Sequence, residues 1–294
     1  MRINNLFNEK KMVFSLEVFP PKVTSSIETI YKMLEELKGV NPDFISVTYG
    51  AGGAATSNRT LEIASLIKNK YNMEPVAHLT CIDAKEDEIK EILRNLKNEG
   101  IENILALRGD GNPDTAGRSN DFKYASDLIQ FIKKTDDFNI SGACYPEGHI
   151  DCRNLDKDIE NLKIKQEAGA SHFISQLFLD NEYFYSFMDK TIEKGITDPI
   201  QAGIMPVINK KQIERITTLC GSNVPKKFMK IMDRYEHDPI ALRDAGIAYA
   251  VEQIVDLISN GVQGIHLYTM NNPLIARRIS QSVASLIRCS NRAE

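Results

Sequence analysis

Ser15-Leu16-Glu17-Val18-Phe19-Pro20-Pro21 is the stretch from which the chain is best read. Residues 13–19 are apolar almost throughout, as in a buried β-strand, and Pro20-Pro21 ends it because proline lacks the N–H that a ladder needs. One ionisable side chain lies inside the run. A carboxylate between Leu16 and Val18, beside Phe19, loses solvation, and desolvation favours its neutral, proton-carrying form. Glu17 is therefore the first candidate general acid. The other reading is a structural glutamate paired with an Arg or Lys of a neighbouring strand.

Outward from this strand, a strand-then-helix unit recurs. Residues 25–37 place Ile27, Ile30, Tyr31, Leu34 and Leu37 at helical spacing, with Thr24 or Ser25 to cap them. The same pairing is predicted for strand 43–49 with helix 59–70, strand 75–81 with helix 86–98, and strand 103–109 with helix 124–134. It continues as strand 140–145 with helix 155–168, strand 172–179 with helix 182–194, and strand 200–207 with helix 211–220. Residues 225–260 break the alternation with two helices, the second over 239–259, read as an insertion. Strand 264–270 and helix 273–287 complete an eighth unit.

Eight such units predict an α/β chain folded as a single closed (β/α)8, or TIM, barrel domain over 1–294, with an extra helical segment before the last strand. A doubly wound open sheet is the alternative. The barrel is favoured by Glu17, Thr48, His78, Arg108, Asp110, Tyr145, Gln176, Tyr268 and Thr269. All fall at or near the carboxyl ends of predicted strands, which a barrel gathers on one face.

With 42% hydrophobic and 26% charged residues, the chain of 294 has the composition of a globular protein. A net charge of −4 without a basic run argues against a nucleic-acid partner. No apolar stretch approaches the ~20 residues that span a bilayer, and 1–11 lack a secretory h-region, so a cytoplasmic location with no membrane partner is expected. The five cysteines are scattered without a C-x-x-C and read as reduced thiols. His149, Asp151 and Cys152 crowd three metal-ligand types together, but no second cluster completes a tetrahedral site, so no metal is expected. There is no P-loop, no G-x-G-x-x-G opening a first helix and no G-x-S-x-G elbow. A Rossmann nicotinamide site and covalent hydrolysis are both disfavoured. The rim residues suit a polar heterocyclic ligand without naming a reaction.

SLEVFPP (15–21), FISVTYGAGG (44–53), HLTCIDA (78–84), ILALRGD (104–110), YASDLI (124–129), YPEGH (145–149) and HLYTMN (266–271) run in this order across nearly the whole chain. Together they closely resemble the bacterial 5,10-methylenetetrahydrofolate reductases. The resemblance implies a flavoprotein barrel in which a reduced nicotinamide, NADH or NADPH, passes hydride to N5 of FAD and departs. Methylenetetrahydrofolate then enters the same cavity and is reduced to 5-methyltetrahydrofolate.

The resemblance makes Glu17 the acid that protonates the departing folate nitrogen, and puts Asp110 near flavin and pterin, tuning the one and anchoring the other. Gln176 and Gln212 become folate-facing. For FAD it points to Thr48, Tyr49, Ala51, His78, Arg108, Gly109, Asp110, Tyr124, Ala125, Tyr145 and His149, with Asp158, Asn161 and Lys165 on one helix face. Three departures stand out. Thr269-Met270-Asn271-Asn272 replaces T-[LM]-N-R and so lacks a cation, QLFLD (176–180) replaces QFFFD, and the loop 111–121 is lengthened. No regulatory domain is expected. Two other readings remain: a flavin-free pterin-binding barrel such as a methyltransferase, and a folate-reducing subunit fed by an electron-donating partner protein. A homo-oligomer is compatible with all three.

Overall fold

The computed structural model describes residues 1–292 except 22–25, 27, 50–53, 111–118, 120 and 153, and describes 54–57 by backbone alone. Eight parallel strands close a barrel in sequence order: β1 (Val13–Val18), β2 (Phe44–Val47), β3 (Pro75–Thr80), β4 (Asn103–Leu107), β5 (Asn139–Cys144), β6 (Phe173–Ser175), β7 (Ile200–Ile204) and β8 (Gly264–Tyr268). The ring shuts where β8 pairs with β1, His266 opposite Ser15 and Tyr268 opposite Glu17. This closure is the predicted barrel, and it rules out the open sheet.

A short helix α1 (Leu6–Glu9) precedes the barrel. The helices that follow strands are α2 (Glu28–Leu37), α3 (Ala54–Asn69), α4 (Glu86–Asn98), α5 (Ala125–Thr135), α6 (Leu155–Ala168) and α7 (Asn181–Glu193). After β7 come α8 (Lys210–Cys220), α9 (Lys226–Tyr235) and α10 (Pro239–Ser259), and α11 (Pro273–Ser290) follows β8. Local chemistry sets these bounds. In α4, buried Ile89, Leu93 and Leu96 recur at helical spacing while Glu86, Asp87 and Glu88 occupy the positive end of the helix dipole. Asp238 accepts from the N–H groups of Ile240 and Ala241, with Pro239 pre-set at the first position of α10.

Strand side chains alternate. Leu16 and Val18 point out into the large core shared with the helices, while the register carries Val13, Ser15 and Glu17 inward. The amino-terminal end of the barrel is stoppered by Ile3, Leu6 and Phe7, packed on Val13, Phe44, Val76, Leu105 and Ile174. No sequence period announces this plug, because α1 is a single turn.

The structure reassigns the extra helices. Helix α10, read from sequence as part of the insertion, is the one that packs on β7 between α7 and α11. Helices α8 and α9 are the additional pair. Ile213 of α8 and Phe228 and Met232 of α9 form a separate small core with Leu177, Leu179, Val207 and Leu242, over the loops that leave β6 and β7.

Candidate active site

Glu17 lies at the carboxyl end of β1, and its spatial neighbours are not its sequence neighbours. Leu16 and Val18 face the opposite way, so the carboxylate meets polar groups: Ser46 Oγ at 3.5 Å, His266 Nε2 at 3.5 Å and His78 Nε2 at 3.6 Å. No Arg or Lys pairs with it among the described residues, so the structural ion pair considered from sequence is not formed. The Glu17 backbone is fixed by β8, Thr269 Oγ1 donating to its carbonyl at 2.6 Å. Asn271 reinforces this closure by exchanging two hydrogen bonds with the Phe19 backbone.

Burial pushes the His78 imidazole down to about 4, so the ring is neutral at physiological pH. Its Nε2 is buried without a hydrogen-bond partner among the described residues. Such an atom costs free energy unless a ligand or water satisfies it. Tyr268 donates to Ser175 O at 2.7 Å, and burial holds its phenol well above the usual range.

The other rim residues sort into three groups. Arg108, Gly109 and Asp110 follow β4, on the same rim as Glu17. Arg108 is tied to Asp151 at 2.6 Å, a pairing that also holds the Asp151 carboxylate below its usual range. Gly109 has φ +85°, and a Cβ there would meet Thr80 Cβ at 2.9 Å, so only glycine leaves this edge of the mouth as bare backbone.

After β5, Tyr145 packs edge-on against His149, ring centroids 4.6 Å apart. Asp158 Oδ2 accepts from the His149 N–H, and Lys165 donates to Ala143 O at 2.8 Å with its ammonium over the Tyr145 ring. Asp158 is buried and Asn161 and Lys165 are half-buried, so this helix face is turned inward, unlike a solvated face. Burial lowers Lys165 and His149 and raises Asp158.

The third group is looser. Thr48 and Tyr49 leave β2, Tyr49 lining a crevice beside His78 with Thr60 and Ala77. Tyr124 is exposed at the start of α5, next to buried Ala125. Gln176 spends its carbonyl oxygen on the Leu177 N–H at 2.8 Å, so its NH2 is the end left to meet a ligand. Gln212 occupies the first turn of α8. Ala51 and most of the lengthened loop lie outside the described residues. Sequence reading missed Ser46 and His266, whose inward direction follows only from the register of β2 and β8.

The side chains could hold a flat polar heterocycle against the bare Gly109 edge, offer it the unsatisfied His78 nitrogen, and meet an anionic linker with Arg108 and Lys165. That donor set fits a dinucleotide-type cofactor. A carboxyl among histidines and serines beside this space can hold or deliver a proton.

Comparison with known proteins shows the family. A family model described as methylenetetrahydrofolate reductase matches residues 2–284. A 5,10-methylenetetrahydrofolate reductase of Pectobacterium carotovorum is 36% identical over 92% of this chain and 89% of its own. That of Escherichia coli K12 is 37% identical over 87% and 86%. Among solved structures, an uncharacterized protein from Clostridium thermocellum that binds two copies of 5-methyl-5,6,7,8-tetrahydrofolic acid superposes with a TM-score of 0.65 at 15% identity. The match covers 96% of this chain and 99% of that one, and at this identity it speaks to the fold alone.

Proposed function

Because the chain belongs to the methylenetetrahydrofolate reductase family, a family of oxidoreductases, we propose that this barrel mouth reduces 5,10-methylenetetrahydrofolate to 5-methyltetrahydrofolate in two half-reactions. NADH or NADPH serves as the hydride donor and FAD as the carrier. Bound FAD supplies a centre that takes up a hydride and gives it up again at one position, so donor and folate can use one cavity in turn.

The chain's own residues do the rest. Arg108 and Lys165 hold the anionic part of the cofactor, and Tyr145, His149 and Asp158 brace Lys165 from one side. His78 offers its unsatisfied nitrogen, and Gly109 lets the backbone approach closely. Glu17 delivers the proton that the departing folate nitrogen needs as the five-membered ring opens to an electrophilic iminium. Asp110 and the NH2 of Gln176 bind the pterin edge, with Gln212 reaching in from α8. The observation that carries this reading is the Glu17 carboxyl, set between two histidines on the rim that also bears Arg108 and Asp110.

A visible spectrum before and after NADH tests it. Purified or FAD-reconstituted protein should show flavin bands that bleach on adding NADH. Protein that takes up no flavin would remove the proposal, and bound flavin that stays oxidised would point to a partner protein as electron donor. Glu17→Gln should leave flavin reduction within a few-fold of wild type and slow folate reduction by at least ~100-fold. Equal loss of both half-reactions would make Glu17 structural.

A further inference from the structure

Beneath the rim, the barrel interior holds a continuous line of fully buried polar side chains: Ser141, His172, Gln201, Ser15, His266 and Ser46. Ser141 Oγ is 2.9 Å from His172 Nδ1, and His172 Nε2 is 3.0 Å from Gln201 Oε1. Gln201 Nε2 is 3.1 Å from Ser15 Oγ, and Ser15 Oγ is 2.7 Å from His266 Nδ1. His266 Nε2 is 3.3 Å from Ser46 Oγ, which reaches Glu17 Oε2.

A chain of hydroxyls and imidazoles can run its protons either way, and one member without that freedom biases the direction of its neighbours. Gln201 is that member. One pole of its amide lies 3.3 Å from Val13 O and 3.3 Å from Ile265 O. Carbonyl oxygens only accept, so that pole must be the NH2 group whatever labels the two atoms carry. Gly264 makes the room, since a Cβ there would sit 2.7 Å from Gln201 Cγ and 2.8 Å from its Nε2.

We propose that Gln201 is a positioning residue that fixes the direction of this line, so that His266 carries its proton on Nε2 and Glu17 receives a hydrogen bond. The Gln201 NH2 donates to Ser15 Oγ. Of the acceptors open to the Ser15 hydroxyl proton, Gln201 Oε1 and Ile265 O lie at 3.4 and 3.5 Å and His266 Nδ1 at 2.7 Å, so the proton goes to His266 Nδ1. An imidazole that accepts at Nδ1 has its proton on Nε2. That N–H donates to Ser46 Oγ, and the Ser46 hydroxyl donates to Glu17 Oε2. At the other pole, Gln201 Oε1 requires an Nε2–H at His172, whose Nδ1 accepts from Ser141.

The groups facing Glu17 are His266 and Tyr268 from β8, His78 from β3 and Ser46 from β2. Tyr268 spends its hydroxyl proton on Ser175 O and His78 Nε2, 3.6 Å away, makes no hydrogen bond among the described residues, so the pair His266 and Ser46 is the donor route that Gln201 governs. The tautomer assignment stands on this geometry alone, and its effect on turnover rests on the function proposed above.

Long-range 1H–15N correlation spectra of histidine-labelled protein read the tautomer directly. Wild type should show an Nε2–H ring at His266. Gln201→Met removes the amide and should give a mixture of tautomers or the Nδ1–H form. An Nδ1–H ring or an imidazolium at His266 in the wild type overturns the proposal, and so does an Nε2–H ring unchanged in Gln201→Met. The wild-type spectrum decides the assignment by itself should the variant not fold.

In flavin-loaded Gln201→Met, Ser46 no longer has to donate to Glu17. The midpoint of the pH profile for folate reduction should then move up by roughly half to one pH unit, with flavin reduction by the nicotinamide unchanged. A profile that stays in place while the His266 tautomer changes overturns the link to Glu17. Loss of flavin binding in the wild type would count against the proposed function and leave the tautomer result standing.

Discussion

Asn272 occupies the position where the resemblance leads one to expect an arginine, and the structure gives it a different task. Its side-chain oxygen accepts from the Ile275 N–H at 3.3 Å and caps α11, with Pro273 next in line. Arginine carries no acceptor and cannot make that bond. Asn272→Ala should therefore lower unfolding stability by about 1 kcal/mol, and Asn272→Asp should restore most of it. Urea midpoints compare the three proteins, and an alanine variant as stable as wild type would show that the cap contributes nothing. Glu17 likewise owes its surroundings to residues distant in sequence. Its position on the rim was legible from the strand and the double proline, but its environment was not, because the residues adjacent in sequence point to the other face. The two histidines and the serine that surround it come from β3, β8 and β2, and register, which no local pattern encodes, brings them together.

Between elements, the alternation of strand and helix was legible because each unit is bounded by apolar runs and turn residues. Helix α4 over Glu86–Asn98 and helix α6 over Leu155–Ala168 begin and end where their apolar periods do. The assignment of α10 as the covering helix of β7 was not recoverable in the same way, since α8 and α10 both follow β7 and both carry buried apolar residues. What separates them is a close approach. In α10, Gly246 lies against the loop after β7, and a Cβ there would fall 1.7 Å from Val207 O. Backbone, unlike a side-chain tip, cannot swing aside, so Gly246→Ala must push α10 off the barrel. The expected loss is about 2–4 kcal/mol despite the better helix propensity of alanine. Thermal unfolding would show it as a lower midpoint, and an unchanged midpoint would mean that α10 does not rest on β7 as described. Because α10 closes the barrel wall, α8 and α9 are left over the loops that leave β6 and β7.

Taken whole, the molecule keeps an apolar wall outside its strands and a polar line inside them, and that arrangement makes its stability depend on pH in a definite direction. Burial pushes His78 down to about 4 and His172 down to about 3, against ~6.5 for an unfolded histidine. Between those values the unfolded chain binds more protons than the folded one. Stability is therefore full above pH ~6.5 and is lost as pH falls toward the folded values. By pH 4.5 each ring accounts for roughly 2–3 kcal/mol of that loss. Asp158 and Glu147, both raised by burial, act in the opposite sense over part of the same range. The difference between two proteins is thus a cleaner measure than the wild-type curve alone. His172→Gln keeps a hydrogen-bonding side chain near Ser141 and Gln201 but has nothing to protonate. Its deficit relative to wild type at pH 7.5 should shrink by roughly 2–3 kcal/mol at pH 4.5, read from urea denaturation at the two pH values. Curves that stay parallel across that interval would mean His172 protonates as readily inside the barrel as in the unfolded chain, and the interior could not be the dry, proton-ordered line from which Glu17 takes its hydrogen bond.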